Sequence, residues 1–307
     1  MQGRVLKSTG SWYTILGDDG LAYKCTVRGK LRLKSSRTTN PITVGDKVEF
    51  DIESDGQTGN VRNVLPRKNY IIRKSSNLSR ESHIIAANID QAILVVTVDF
   101  PETNLVFIDR YLATAEAYQI PAILLFNKID LRSDAQFDAK LNHFESIYKP
   151  IYPCHRVSAK TGEGLEEVRK IILGRVSLFS GNSGVGKSAL INRLDPTLNL
   201  KTADISHYHL KGRHTTTFSE MFALNEGGFI IDTPGIKGFG LVDMDKREIF
   251  HFFPEIFKIA ANCLYHNCTH QDEPGCAVKD AVEKNIINPS RYINYLSIMN
   301  DSEGKYR

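Results

Sequence analysis

The spacing of apolar residues changes twice along the chain and divides it into three regimes. Over residues 1–66 apolar residues come in short alternating runs without a helical period, at 4–6, 12–16, 22–27, 47–50 and 60–64. Gly17-Asp18-Asp19-Gly20, Gly45-Asp46 and Asp55-Gly56 separate them. Runs of this length broken by Gly and Asp predict strands joined by turns. Five strands in so short a segment predict a small closed barrel of the OB type. From Asn88 the pattern becomes longer apolar runs alternating with amphipathic stretches. Residues 92–98, 122–126, 176–179 and 229–231 read as buried parallel strands, and another strand falls within 151–157. Residues 104–118, 137–148 and 165–173 carry the helical period, and a helix follows the glycine-rich stretch at 189–194. This alternation predicts a doubly wound α/β domain with ligands at the carboxyl ends of its strands. From about Asp243 the chain is helical and ends in a polar tail. The expected organisation is a barrel at 1–66, a basic linker at 67–80, an α/β domain at 81–242 and a helical domain at 243–307.

Composition narrows the class. Hydrophobic content of 41% and charged content of 24% are those of an ordinary globular protein. No apolar run approaches the roughly 20 residues of a membrane span, and the N-terminus lacks the apolar centre of a signal peptide. A cytoplasmic protein without a membrane partner is expected. The net charge of +4 is modest, but it is concentrated. Lys24, Arg28, Lys30, Arg32, Lys34 and Arg37 follow one another with no acid between them, and residues 67–80 add five more basic residues. A basic loop on a barrel points to a nucleic-acid backbone, with RNA favoured over a merely solvated face. Three of the five cysteines fall between 263 and 276, which suggests a metal site in a reducing compartment rather than a disulfide framework.

The candidate chemistry lies mostly at predicted strand ends. Gly181-Asn182-Ser183-Gly184-Val185-Gly186-Lys187-Ser188, with Ala189 next, stands between a buried strand and a helix, as a phosphate loop requires. Its glycines let backbone N–H groups and the helix N-terminus face phosphates. Lys187 is expected to reach the β- and γ-phosphates and Ser188 to ligate Mg²⁺. Asn127-Lys128-Ile129-Asp130 ends the 122–126 strand. The Asp130 carboxylate can accept from guanine N1–H and the exocyclic amine together, a donor pair adenine lacks. Asn127 is expected to brace the loop and Lys128 to pack over the ring, while Ser158, Ala159 and Lys160 offer N–H groups to guanine O6. Asp232-Thr233-Pro234-Gly235 ends a third strand. Asp232 is expected to hold Mg²⁺ through water, and the Gly235 N–H to meet the γ-phosphate. In Gly212-Arg213-His214-Thr215-Thr216-Thr217 one threonine is expected to bind Mg²⁺. Thr216 is preferred, with Thr215 and Thr217 left open. Cys263, Cys268, His270 and Cys276 form a Cys₃His set for one structural Zn²⁺. His251 and His266 are read as surface or packing residues.

All five GTPase elements are present, but the base-reading ones precede the phosphate-binding ones. With the barrel before them and the cysteine cluster after, this order resembles the RsgA (YjeQ) family of circularly permuted GTPases over essentially the whole length. GNSGVGKS, GRHTTT and DTPG are similar to that family's motifs. The resemblance implies GTP and GDP as ligands with Mg²⁺, and zinc ligands in this same pattern. It further implies GTP hydrolysis stimulated by the small ribosomal subunit, a role in late subunit maturation, and contact with its 16S rRNA; a monomer and no DNA partner are expected. Ras-like GTPases carry a water-positioning glutamine where this chain has Ile236, so slow intrinsic turnover is expected. His214 is the internal candidate for that task, although a plain loop or RNA-contact role stays open. Two other readings remain, a GTP-gated RNA-binding scaffold with little catalysis and a GTPase of another RNA-handling pathway.

Overall fold

The computed structural model describes residues 1–27, 41–74, 82–132, 135–200, 219–232 and 244–300. The alternating N-terminal runs form β1 (Gln2–Ser8), β2 (Tyr13–Gly17), β3 (Ala22–Val27), β4 (Lys47–Ile52) and β5 (Thr58–Val64). They pair in the order β1-β2-β3-β5-β4, and β4 returns to β1, which closes the barrel. Only the β3–β5 pair is parallel. Every second residue points inward, so Val5, Ile15, Tyr23, Cys25, Val48, Phe50 and Val61 fill the interior. Of the basic run, only Lys24 falls within the described residues.

The stretch expected as a linker begins with an anchor and a strand. Arg67 donates from Nε and Nη2 to the buried Asp46 carboxylate at 2.6 and 2.8 Å. Then β6 (Tyr70–Lys74) pairs antiparallel with β7 (Ser82–Ala87).

The α/β domain follows as β8 (Gln91–Val96), α1 (Leu105–Ala117), β9 (Ala122–Phe126), α2 (Ala135–Tyr148), β10 (Cys154–Arg156), α3 (Leu165–Ile172), β11 (Val176–Ser180), α4 (Lys187–Leu194), β12 (Glu220–Ala223) and β13 (Phe229–Asp232). Its strand order is β10-β9-β8-β11-β13-β12, parallel except for β12. The central strands are buried on both faces, which explains the apolar runs at 92–96 and 122–126, while β11 buries Ser177 and Ser180 among its apolar residues. One face packs under α1 and α2 through Ile108, Leu112, Phe137 and Leu141. The other packs under α3 and α4 through Leu165, Val168, Leu190 and Ile191. The four residues of β12 are too few to show a period, and the sequence reading passed over them. They pair with β13 on one side and with β1 of the barrel on the other, joining both domains in one sheet.

The C-terminal part is helical as expected, with a 3-10 helix (Lys246–Phe252), α5 (Pro254–Ala260), α6 (Ala277–Glu283) and α7 (Pro289–Asn300). Its core of Phe253, Ile256, Val278, Tyr295 and Met299 also takes in Ala113 from α1. Among the described residues no helix is long and apolar enough to cross a membrane.

Candidate active site

From β8 the sheet continues to β9 on one side and to β11 on the other, so the crevice between β8 and β11 is the switch point where open α/β sheets bind ligands. The loops after β8, β9, β10 and β11 surround it. In the loop after β11, Gly181 runs so close to β8 that a Cβ there would lie 2.6 Å from the Val95 carbonyl oxygen. Gly186 caps α4 with φ of +88°, and a Cβ there would lie 2.6 Å from Asn127 Nδ2. Side chains at these two positions would fill the cradle. Asn182 sits half-buried, Ser183 and Gly184 are exposed, and Val185 is buried in the core under α4. Ser188 and Ala189 lie half-buried in the first turn of α4.

Asn127 is buried and ties the loops together. Its Nδ2 donates to the Val185 carbonyl at 2.8 Å, and its Oδ1 accepts from the Ala159 N–H at 3.1 Å. The bracing role expected of it is therefore a pair of hydrogen bonds, one to the phosphate loop and one to the 158–160 loop. Asp130 accepts from Ser158 Oγ at 2.6 Å, and Lys160 stands 3.9 Å from its other oxygen. Lys128 takes a left-handed backbone, φ +66°, and its ammonium donates to the Phe100 carbonyl at 2.6 Å.

Lys187 opens α4, and its ammonium meets the carboxylate of Asp232 at the end of β13. Burial pushes this lysine down to about 8, while the neighbouring carboxylate favours its charged form. A second anion arriving as phosphate would restore the charge further. The cradle, the buried lysine, the Ser188 hydroxyl and Asp232 fit a magnesium nucleotide in donor type and position. Bound Mg²⁺ would neutralise phosphate charge, and the residues here would hold and orient the phosphates around it. Thr215, Thr216, Thr217, His214, Gly235 and Ile236 lie outside the described residues.

The sequence reading did not single out the loop after β8. Thr97 and Thr103 lock it, the Thr97 N–H donating to Thr103 Oγ1 at 3.0 Å and the Thr103 N–H to the Thr97 carbonyl at 2.8 Å. Pro101 lies against Gly184, and Phe100 supplies the acceptor for Lys128. A threonine at each end of a Pro-containing turn after a buried strand was the available signal.

The second cluster is in the C-terminal domain. The ligand atoms of Cys263, Cys268, His270 and Cys276 all lie within 4.8 Å of one another. His270 Nδ1 stands 3.6 Å from Cys263 Sγ and 3.5 Å from Cys276 Sγ, and those two sulfurs are 4.0 Å apart. A tetrahedral zinc ion with bonds of about 2.0–2.3 Å needs ligand atoms separated by roughly 3.5–3.8 Å; Cys263, Cys276 and His270 Nδ1 stand near that spacing, and Cys268 completes a Cys₃His donor set of the type zinc takes, within 4.8 Å of the others. The Glu273 carboxylate braces the loop by accepting from the Thr269 N–H, the Thr269 hydroxyl and the Gln271 N–H. Tyr292 and Tyr295 donate to the His270 and Thr269 carbonyls. His251 packs between Phe250 and Phe257 and stays outside the set.

Comparison with known proteins agrees with this arrangement. The RsgA GTPase family model matches residues 64–242, and the RsgA N-terminal domain model matches residues 2–59. The chain belongs to the RsgA GTPase family. It is 56% identical over 309 residues to "Small ribosomal subunit biogenesis GTPase RsgA" of Bacteroides fragilis, covering 100% of this chain and 99% of that one. Porphyromonas gingivalis has a protein of the same description, 50% identical with the same coverage. Among solved structures, YjeQ from Thermotoga maritima superposes with a TM-score of 0.80 at 35% identity, covering 97% and 96% of the two chains. YloQ, described as a circularly permuted GTPase, gives 0.74 at 27%, covering 98% and 94%. The chain is thus a circularly permuted P-loop GTPase, and its loops 127–130 and 158–160 precede its glycine-rich loop at 181–188.

Proposed function

We propose that this GTPase acts in the maturation of the small ribosomal subunit, and that contact with the subunit and its 16S rRNA stimulates hydrolysis of GTP to GDP and phosphate. The observation that carries the reading is full-length similarity above 50% to proteins described as small ribosomal subunit biogenesis GTPases, in a chain whose loops 127–130, 158–160 and 181–188 meet at one crevice. Residues 1–66 form the RNA-binding barrel, 67–80 the basic connector, 81–242 the GTPase and 243–307 the zinc domain. In the site, Asp130 reads guanine with Lys128 over the ring, and Ser158, Ala159 and Lys160 frame O6. Residues 181–189 hold the phosphates, with Ser188, Asp232 and Thr216 around Mg²⁺ and Gly235 at the γ-phosphate. Ile236 cannot orient a water, so the stimulated step draws on His214 or on the bound RNA.

Phosphate release with and without purified small subunits tests this. Intrinsic turnover should be slow and should rise by about 10²-fold or more if the subunit completes a water-positioning group. Unchanged turnover together with GTP-dependent subunit binding would favour a GTP-gated RNA-binding scaffold. Absence of both effects would point to another RNA-handling pathway.

A further inference from the structure

The junction between barrel and GTPase sheet falls on the row that carries Asp232. In β13–β12 the residue opposite Asp232 is Glu220, and in β12–β1 the residue opposite Glu220 is Lys7. Directly opposed residues in antiparallel pairs share one face of the sheet, with Cβ atoms about 4.5–5.5 Å apart. Two carboxylates, Glu220 and Asp232, are therefore side-by-side neighbours. Like charges so placed repel unless each is compensated. Asp232 meets Lys187 from the phosphate loop. Glu220 meets Lys7 from the barrel, Nζ to Oε1 at 3.0 Å, with both side chains part-exposed. The barrel strand is held there a second time, since the Arg4 guanidinium lies 4.8 Å from the centre of the Phe229 ring in β13.

We propose that Glu220 and Lys7 are positioning residues for the magnesium site, with the barrel supplying the lysine that sets how much negative charge Glu220 presents beside Asp232. The proposal rests on the assignment of Asp232 to Mg²⁺ made above. It gives the barrel an electrostatic connection to the metal that does not pass through the nucleotide. With Lys7 in place, Glu220 is neutralised and Asp232 alone faces the ion. If the first barrel strand shifts and withdraws Lys7, a second carboxylate faces the site and attracts a divalent cation more strongly. If the Glu220 charge is removed instead, Lys7 is left as an uncompensated cation on the same row and repels the ion.

The test is the Mg²⁺ concentration at which release of a fluorescent GDP analogue from the full chain is half slowed, which needs no hydrolysis. Lys7→Met should lower that concentration and Glu220→Gln should raise it, each by roughly 5- to 15-fold, the order Coulomb's law gives for a unit charge acting on a nearby divalent ion in water. The double variant should return close to the unmodified protein. A purely structural role would move both single variants the same way and lower the unfolding midpoint of each. Asp232→Asn separates the two layers of the argument. If it abolishes the Mg²⁺ dependence while the single variants shift together or not at all, the Lys7–Glu220 proposal is overturned and the Asp232 assignment stands. If Asp232→Asn keeps the unmodified Mg²⁺ dependence, both are overturned.

Discussion

Asn127 shows how one side chain can hold a whole cleft in shape. It is buried, and its two hydrogen bonds join loops that follow three different strands. Removing it in Asn127→Ala would leave the Val185 carbonyl and the Ala159 N–H without their partner, at a cost of about 1–3 kcal/mol per buried group left unsatisfied. Because the tie joins the 181–188 loop to the 158–160 loop, which the proposed site assigns to phosphate and base, GDP and GTP affinity should fall together, measurable by equilibrium titration of each. A selective loss of GTP alone would contradict this. Lys187 gives the second residue-scale expectation. Its folded value of about 8 lies below its ordinary 10.5. Between these values the unfolded chain binds a proton that the nucleotide-free fold lacks, so this group makes stability rise with pH across that window. Below about 8 the fold carries the cost of burying the ammonium, and above it that cost is relieved. Nucleotide phosphates favour the charged form, so GDP binding should take up protons and weaken as pH rises through about 8. Calorimetric titration in two buffers of different ionisation enthalpy reads the uptake. None at any pH would mean that Lys187 is already fully charged.

At the scale of elements, α1 does two jobs. Its N-terminal end follows the loop that holds Lys128, and its middle turns present Asp109 to the C-terminal domain. Asp109 accepts from Arg291 Nη1 at 2.8 Å and from Asn294 Nδ2 at 2.5 Å, while Glu255 of α5 takes Arg291 Nε at 2.7 Å. Phe253 lies against the guanidinium, 4.6 Å from ring centre to Cζ. Burial by itself raises the Asp109 carboxyl, and the arginine opposes that shift. Removing the cation in Arg291→Met would leave a fully buried aspartate uncompensated. A loss of about 3–5 kcal/mol is the expected result when one partner of a buried pair is removed. Denaturant unfolding followed by tyrosine fluorescence measures it. A change under 1 kcal/mol would mean that the pair adds little to the attachment of α7 to α1.

At the scale of the molecule, the candidate metal ligands Cys263, Cys268 and Cys276 belong to the same core that grips α1. Cys268 and Cys276 are buried beside Tyr295 and Met299, and Ala113 of α1 completes that cluster. Metal binding is therefore expected to be folding energy for the C-terminal part and to support its contact with the GTPase. Purified protein should hold one zinc per chain by elemental analysis. Chelation should lower the near-ultraviolet signal of Tyr292 and Tyr295 while leaving the barrel folded. An intact C-terminal signal in protein free of zinc would show that packing alone suffices. The barrel is held independently, through the β1–β12 pairing and the Arg67–Asp46 bridge, so loss of zinc should not reach it.

What the sequence by itself determined were the features carried by contiguous residues. Alternation at period two marked all five barrel strands, and apolar runs marked β8 and β9 and, interrupted by Ser177, β11, because burial on one or two faces leaves a local trace. The phosphate loop, N-K-x-D and the cysteine spacing were legible because the chemistry needs those residue types at fixed separations. Their inverted order exposed the permutation without any coordinates. Periodicity assigns a residue to a face but does not name the partner across it. Nothing local in Glu220–Ala223 announced that it would bridge two domains, since four residues fix no period and a strand's own residues do not name its neighbours on either side. Asp109 and Arg291 stand 182 residues apart, and each reads alone as a surface charge on an amphipathic helix. Only the packing of α1 against α7 takes both out of water, and that desolvation turns two ordinary charges into an interdomain clamp.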